Sequence, residues 1–232
     1  MKYDLIVIGA GHGGVMAART AAQDGLRVAL LERKKNVTDI NRACVQIFYL
    51  NKLDANWLTM KPTPKMDAYI EDVSIDIAHD RCEFRFKDAG FSIGYEGPLR
   101  AYYNWIHFSP SGYSMNRYPS NYSPWGFYYK KQAFLAALLE NALNAGVDLL
   151  TETTASNVEN TGNMVEVSFT SPKGDNKYFG KAAIVADGLN SPVVNAMGLN
   201  KERPLRTLKP RQILIYVMEG VTCPFSDNSW VM

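Results

Sequence analysis

The glycine-rich turn near the start of this chain constrains its fold more than any other feature. A predicted strand at residues 4–8 precedes the turn, and an alanine-rich helix follows it. The turn itself reads Gly9-Ala10-Gly11-His12-Gly13-Gly14. In a G-x-G-x-x-G turn, Gly9 permits the tight bend, Gly11 lets the backbone approach a pyrophosphate, and Gly14 lets the helix pack closely on the sheet. The pattern predicts a βαβ unit that binds an adenine dinucleotide at the helix N-terminus. The alternative interpretation is a glycine-rich turn that serves only close packing and binds no ligand.

The second strand of this unit ends in an acidic residue. Glu32 lies eighteen residues after Gly14, where a carboxylate can accept hydrogen bonds from ribose hydroxyl groups. The same charge would repel a 2′-phosphate, so the basic residues 33–35 are interpreted as a solvated turn at the strand end. The candidate cofactor-binding residues of this unit also include His12 and Gly13 of the turn and Arg33 beside the acid.

The composition and the charge exclude several classes of protein. Of the 232 residues, 47% are hydrophobic and 21% are charged, as is usual for a globular protein with a substantial core. A net charge of +2 gives no reason to expect nucleic acid as a partner. No apolar run reaches the roughly 18–20 residues that a membrane span needs, and the first strand begins too early for a signal peptide. Cys44, Cys82 and Cys223 form no C-x-x-C pair and no zinc spacing, which predicts a cytoplasmic protein without a metal site.

The chain alternates between two kinds of sequence. Residues 1–65 and 130–200 are predicted to form a discontinuous α/β domain of the Rossmann type, in which a three-stranded β-meander makes a crossover. Residues 66–129 and 201–232 are predicted to be a β-rich, aromatic-rich and incomplete part of a substrate domain. The individual elements predicted after the first unit are a partly helical segment at 43–60, helices at 131–146 and 192–197, and strands at 69–77, 81–86, 104–108, 147–150, 165–169, 182–186 and 211–221.

A second motif follows an apolar strand at residues 184–186. It reads Asp187-Gly188 and continues to Asn190-Ser191-Pro192. Alone, this is a common strand-to-turn sequence. Together with the order of the elements before it, it resembles the Asp-Gly motif of FAD enzymes of the para-hydroxybenzoate-hydroxylase type, a superfamily that includes the geranylgeranyl reductases. In that superfamily the Asp lies beside the pyrophosphate and the ribityl chain, and the Gly lets the backbone pass the cofactor. The resemblance implies FAD as the cofactor, with Asp187 and Gly188 among the residues that bind it.

Three shorter matches narrow the resemblance to the geranylgeranyl reductases. Residues 42–44 fall where these enzymes carry Arg-x-Cys in a loop that approaches the flavin. Residues 131–135 resemble the family's Arg-x-x-Phe-Asp at a helix start. Residues 216–221 and 229–231 resemble a strand pair that ends in Tyr-x-Trp-x-Phe-Pro. The resemblance therefore extends over nearly the whole chain.

The loop at residues 42–44 holds the candidate groups for chemistry at the flavin. The resemblance implies that Arg42 and Ala43 contact the cofactor, and that the Cys44 thiol donates a proton or contacts a double bond. The alternatives are a solvent-exposed arginine and a cysteine buried by packing. The chain also departs from the family here, because Val-Gln-Ile follows Cys44 in place of Gly-Glu-Gly. A Gly-Asp motif that cradles the ribityl chain is expected only after residue 232.

The resemblance implies a flavin-dependent reductase. Such an enzyme reduces carbon–carbon double bonds of an isoprenoid chain by hydride transfer from reduced FAD, with NAD(P)H or another reductant as the electron donor. Eleven aromatic residues between 102 and 129 would line a slot for this hydrophobic substrate, or else form an aromatic core or lid. A prenyl lipid substrate would require at most peripheral association with a membrane.

Two other functions remain open. The same Asp-Gly motif serves FAD-dependent aromatic monooxygenases and halogenases, which use oxygen and NAD(P)H. The chain is also consistent with a truncated, non-catalytic module that binds FAD, or only its ADP half, and needs a second chain to complete the flavin site.

Overall fold

The computed structural model describes residues 2–40, 44–49, 73–78, 81–87, 89–117 and 124–201, and near the C-terminus residues 216, 218, 220, 222, 224–226 and 228–231. The chain folds into two units. The first comprises Met1–Asn41 and Leu135–Gln212, and the second comprises Arg42–Phe134 and Ile213–Met232. The domain division drawn from the sequence, after residues 65, 129 and 200, stays a prediction.

Fifteen strands and three helices make up the described part of the chain. In chain order they are β1 (Lys2–Ile8), α1 (His12–Gln23), β2 (Val28–Leu31), β3 (Ile47–Tyr49), β4 (Val73–Ala78), β5 (Arg81–Phe86), β6 (Phe91–Tyr95), β7 (Leu99–Tyr102), β8 (Asn104–Phe108), β9 (Ser114–Arg117), β10 (Gly126–Tyr129), α2 (Lys131–Asn144), β11 (Asp148–Leu150), β12 (Thr154–Asn160), β13 (Val165–Ser171), β14 (Gly174–Val185), α3 (Pro192–Ala196) and β15 (Ser229–Val231).

The first unit is built on a six-stranded sheet with the order β11-β2-β1-β14-β13-β12. The strands β11, β2 and β1 are parallel to one another and to the second half of β14. The first half of β14 instead pairs antiparallel with β13, and β13 pairs antiparallel with β12. One long strand thus joins the parallel sheet to a three-stranded meander. The predicted Rossmann-type α/β fold with a meander crossover is confirmed.

The strands β1 and β2 contain continuous apolar runs because both faces of the parallel sheet are buried. Along β1, Leu5 and Val7 face one side and Ile6 and Ile8 face the other, and all four are buried. The helix α1 packs against β1 and β2. The Ile6 face packs on residues of β12, β13 and α3, which are Ala155, Val167, Phe169 and Val193. The parallel strands therefore pack on α1 through one face and on side chains of the meander and α3 through the other, and the glycine turn follows the carboxyl end of β1.

The second unit contains three small sheets of three strands each within the described residues. Their orders are β3-β10-β7, β4-β5-β6 and β15-β8-β9. Phe84 on β5 is fully buried, and its ring lies among those of Phe48, Tyr95 and Phe134 at centroid distances of 4.7, 5.4 and 5.3 Å. Edge-to-face and tilted contacts of this kind stabilise aromatic clusters beyond the area that they bury.

A second group of rings forms a stack in the same unit. The order of the rings is Tyr102, Trp125, Trp105 and His107, with centroid spacings of 5.5, 4.7 and 5.6 Å. Trp105 and Trp125 are buried, whereas Tyr113 is 80% exposed. The structure therefore places rings from residues 102–129 in the core of the second unit, which corresponds to the alternative of an aromatic core. A substrate slot lined by them stays a prediction.

Several predicted elements match the structure closely, and two do not. Strands β5 and β8 have the predicted bounds, and α2 begins at Lys131 as expected. The predicted helical character of 43–60 is wrong where the structure describes it, because residues 47–49 form β3 and pair with β10. The predicted strand at 211–221 fails at its described positions, since Tyr216, Met218 and Gly220 lie in no strand. The remaining residues of both segments lie outside the described part of the chain.

Candidate functional site

The turn after β1 is pressed against the end of β14. Gly9 has a φ of +97°, a backbone conformation that glycine adopts without strain. A Cβ at Gly9 would lie 2.5 Å from the carbonyl oxygen of Ala186 and 2.8 Å from Cα of Asp187. The Gly9 N–H donates to Leu31 O at 2.8 Å, and the Ala186 N–H donates to Ile8 O at 2.8 Å. These contacts bring the glycine turn and the Asp-Gly motif together, and their predicted part in binding one cofactor stays a prediction.

The glycines of the turn have different surroundings. A Cβ at Gly14 would overlap the carbonyl oxygen of Gly9, so this position allows the close approach of α1 to the strand end. A Cβ at Gly11 or Gly13 would have no atom within 4 Å. Gly11 is the N-cap of α1, has extended backbone and provides no side-chain cap. The N-terminus of α1 therefore has no side-chain cap, and a helix N-terminus of this kind is a place where an anion can bind.

Glu32 is bound to the turn more tightly than the sequence suggested. Its Oε2 accepts a hydrogen bond from the Ala10 N–H at 2.8 Å, and its Oε1 accepts one from the Lys34 N–H at 2.9 Å. The side chain is buried. Each carboxylate oxygen has a second lone pair, so both can still accept a hydrogen bond from a ribose hydroxyl. Glu32 thus fixes the glycine turn in addition to its predicted role at the ribose, which stays a prediction.

Asp187 lies against the glycine turn, since its Cα is 2.8 Å from the position of a Cβ at Gly9. Its Oδ2 is buried and has no hydrogen-bond partner. Buried carboxylate oxygens in folded proteins almost always accept a hydrogen bond, so this atom calls for a donor from a bound molecule. Gly188 follows with a φ of +99°. Ser191 then caps α3, because its Oγ accepts a hydrogen bond from the Val194 N–H at 2.9 Å.

These residues fit an adenine dinucleotide on two observations. The backbone beside Gly11 is open where a pyrophosphate would lie, and the orphaned Oδ2 of Asp187 can accept from a hydroxyl of the cofactor. His12, the first residue of α1, is half-buried, and Arg33 is exposed. Arg42 and Ala43 lie outside the described residues.

Cys44 lies in the second unit and is held by its neighbours. Its half-buried Sγ accepts a hydrogen bond from the Gln46 N–H at 3.4 Å. Burial raises the pKa of the Tyr129 hydroxyl to about 12, and the charge of a Cys44 thiolate acts in the same direction. The Tyr129 N–H in turn donates to Gln46 O at 3.0 Å. The Cys44 thiol therefore lies next to a tyrosine that keeps its proton. The role of Cys44 in catalysis stays a prediction.

Sequence reasoning missed two side chains that bind backbone N–H groups at the start of α2. Gln46 adopts a φ of +56°, and its side-chain Oε1 accepts a hydrogen bond from the Lys131 N–H at 2.8 Å. The hydroxyl of Tyr95 accepts one from the Lys130 N–H at 2.7 Å. Two side chains distant in sequence thus satisfy N–H groups at the helix start. No local signal marks either residue, because a capping box is recognised only within a few residues of the helix.

Neither a membrane-spanning helix nor a metal-binding cluster is found among the residues that the structure describes. None of their helices is long and apolar enough to cross a membrane. They also contain no group of three or more His, Cys, Asp or Glu side chains that could hold a metal ion.

Comparison with known proteins identifies the family of this chain. Residues 3–217 match the family described as pyridine nucleotide-disulphide oxidoreductase. The digeranylgeranylglycerophospholipid reductase 1 of Methanosphaera stadtmanae is 26% identical over 204 residues, which cover 88% of this chain and 42% of that protein. This chain therefore spans less than half the length of that relative.

Solved structures share the fold. A geranylgeranyl bacteriochlorophyll reductase-like protein from Thermoplasma acidophilum has a TM-score of 0.57 and 21% identity, over 85% of this chain and 42% of that one. The p-nitrophenol 4-monooxygenase of Pseudomonas putida has a TM-score of 0.55 and 14% identity, over 84% of this chain and 43% of that one. The resemblance to geranylgeranyl reductases identified in the sequence is confirmed, and the chain belongs to the pyridine nucleotide-disulphide oxidoreductase family.

Proposed function

We propose that this chain is the dinucleotide-binding part of a FAD-dependent oxidoreductase that reduces carbon–carbon double bonds of an isoprenoid chain. The observation that carries the cofactor assignment is the buried Oδ2 of Asp187, which has no partner and lies beside the glycine turn. The substrate assignment rests on the similarity to digeranylgeranylglycerophospholipid reductase 1.

Each part of the first unit has a distinct task in this proposal. The N–H groups of the first turn of α1 bind the pyrophosphate, and Gly11 leaves room for it. Glu32 accepts from the adenosine ribose, and Asp187 accepts from a hydroxyl of the ribityl chain. Bound FAD, once reduced by NAD(P)H or another donor, supplies the hydride. The protein orients the double bond, excludes water and delivers the proton that completes the reduction, for which the Cys44 thiol is the candidate donor.

The proposal also includes a partner for the chain. Because the chain spans 42% of the reductase that it matches, we infer that further polypeptide, in the same protein or in a second chain, completes the flavin site. The hydrophobic substrate is drawn from a membrane surface by peripheral contact on the cytoplasmic side.

An anaerobic single-turnover experiment tests the reaction. The protein is loaded with FAD, reduced with dithionite and mixed with a digeranylgeranylglycerophospholipid, while the flavin absorbance and the product mass are recorded. We expect reoxidation of the flavin and a product that has gained two hydrogen atoms per double bond. Cys44→Ala should slow the step without changing FAD binding. Oxygen-dependent consumption of NAD(P)H, stimulated by an aromatic substrate that gains an oxygen atom, would identify a monooxygenase instead.

A further inference from the structure

The hairpin of β8 and β9 ends in a turn that is surrounded by exposed apolar side chains. Tyr113 at the end of the turn is 80% exposed, Met115 on β9 is 57% exposed, and Phe108 on β8 is 41% exposed. Pro110 within the turn is exposed as well. Single exposed apolar residues are ordinary on a protein surface, but four of them within the eight residues of one hairpin tip form a patch that calls for a partner.

The apolar side chains lie on both faces of the hairpin. Met115 pairs across it with His107, the last ring of the aromatic stack. Phe108, which follows His107 on β8, points to the opposite side, and its ring lies 5.5 Å from that of Phe225. Because paired residues point to the same side of a sheet, Met115 and Phe108 lie on opposite faces. A protein partner that docks on the sheet would cover one face, whereas an apolar layer that takes up the tip end-on contacts both.

The backbone of the turn is largely satisfied by its own hydrogen bonds. The Ser109 N–H donates to Tyr113 O at 2.8 Å, and the Gly112 N–H donates to Ser109 O at 3.0 Å. The Tyr113 N–H donates to Oγ of Ser109 at 3.1 Å, and Pro110 has no N–H. Backbone polar groups must be paired within the chain where water is scarce. The turn can therefore enter an apolar layer without giving up hydrogen bonds to water at these three N–H groups.

The sequence around the hairpin contains no carboxylate side chain. Between Glu96 and Glu140 there is no Asp or Glu. The same stretch contains four basic residues, which are Arg100, Arg117, Lys130 and Lys131. Arg100 and Lys130 are exposed. This segment of the chain therefore has a net positive charge, which an anionic lipid surface attracts.

We infer that the tip of this hairpin, residues 108–115, inserts into the apolar boundary of an anionic lipid surface. This inference rests on the proposed function, because the isoprenoid substrate of that function would be held in such a surface. Tyrosine is favoured between headgroups and acyl chains, where its ring lies in apolar surroundings and its hydroxyl reaches water. The insertion supplies the peripheral contact and keeps the second unit, which contains Cys44, at the surface from which the substrate is drawn.

A second copy of this chain suits the patch less well. Stable protein interfaces bury roughly 1,200 Å² or more, and two hairpin tips in contact contribute only a small part of that area. Two copies of a segment that has basic residues and no carboxylate would also repel each other. A lipid surface has neither of these disadvantages.

Cosedimentation with lipid vesicles tests the surface. The purified chain is mixed with vesicles of phosphatidylcholine and phosphatidylglycerol in equal amounts, and the bound fraction is measured over a range of lipid concentrations. The tip variant combines Tyr113→Ser with Met115→Ser. The matched control combines Tyr216→Ser with Ile77→Ser, because these residues are 77% and 66% exposed in the same unit but outside this hairpin. We expect the tip variant to bind at least about tenfold more weakly than the unmodified chain, since it loses most of the apolar area that inserts, and the control to bind equally well.

Vesicles of phosphatidylcholine alone should bind the unmodified chain at least about fivefold more weakly, because the electrostatic attraction is lost. Four results would overturn the inference: no binding of the unmodified chain to anionic vesicles, equal binding to both kinds of vesicle, equal binding by the tip variant and the control, or a dimer of the free chain that the tip variant abolishes. Binding that depends on the tip, without any reduction of a double bond, would instead refute the proposed reaction and leave the lipid contact in place. Reduction of a detergent-dispersed substrate by a chain that binds no vesicles would refute the lipid contact alone.

Discussion

Replacing Gly14 with alanine should disrupt the contact between α1 and the glycine turn. The new Cβ would overlap the Gly9 carbonyl oxygen and lie 3.0 Å from the Gly9 carbonyl carbon. The Gly9 backbone has no room to retreat, because its N–H donates to Leu31 O and its other side faces Ala186. Overpacking of a core costs about 1–3 kcal/mol, and an overlap with fixed backbone belongs at the upper end of that range.

The net effect on stability also includes helix propensity. Alanine favours a helix over glycine by about 1 kcal/mol, so the free energy of unfolding should fall by about 2 kcal/mol. For a dependence on urea of about 2 kcal/mol per molar, the unfolding midpoint should fall by about 1 M. Urea titration followed by far-ultraviolet circular dichroism measures this change directly.

Gly13→Ala is the matched control for this prediction. Gly13 lies in the same turn of α1, and a Cβ there would have no atom within 4 Å. The substitution should therefore raise the free energy of unfolding by up to about 1 kcal/mol through helix propensity alone. A midpoint for Gly14→Ala equal to or above that of Gly13→Ala would refute the packing argument.

Three further predictions follow from single contacts. Glu32→Gln leaves either the Ala10 or the Lys34 N–H without its acceptor, and should cost about 1–3 kcal/mol in the same urea titration, whereas the exposed Glu140→Gln should cost nothing measurable. Gln46→Ala loses the cap on α2, at about 1 kcal/mol, and keeps the left-handed strain that Gln46 already bears, whereas Gln46→Gly loses the same cap but relieves that strain and should cost close to nothing. Because burial raises the pKa of Tyr129 from 10.0 to about 12, its contribution to stability is complete below pH 10 and is lost as the pH rises to 12. An ultraviolet titration should show that Tyr129→Phe removes the ionisation near 12; removal of a step near 10 would contradict the assigned burial.

The parts of the fold that the sequence predicted well are those with strong local signals. The glycine turn, the apolar runs of β1 and β2 and the helical spacing after Lys131 each lie within one short segment. The turn of the meander between β13 and β14 was also expected, at Pro172-Lys173-Gly174-Asp175, although Gly174 and Asp175 already belong to β14. Such elements need no knowledge of distant partners.

The features that the sequence did not reveal depend on pairing across the chain. The segment at 47–49 is a strand because β10, nearly eighty residues later, supplies its hydrogen-bond partner. Gln46 caps a helix that begins 85 residues after it. Glu32 was expected to face only the ribose, yet it binds the Ala10 N–H, 22 residues before it. Residue type alone does not specify which of several acceptors a backbone N–H will find.

Equilibrium binding of FAD and ADP to the purified chain and to Gly11→Ala tests the central claim most directly. Gly11 has extended backbone and open space around it, so the alanine variant should keep the urea midpoint within about 0.25 M of the unmodified chain, the equivalent of about 0.5 kcal/mol. We expect one nucleotide per unmodified chain, and at least about tenfold weaker binding for Gly11→Ala, because its methyl group occupies the space of the pyrophosphate. Absence of binding by the unmodified chain, or equal affinity in the two proteins, would contradict a dinucleotide site at this turn.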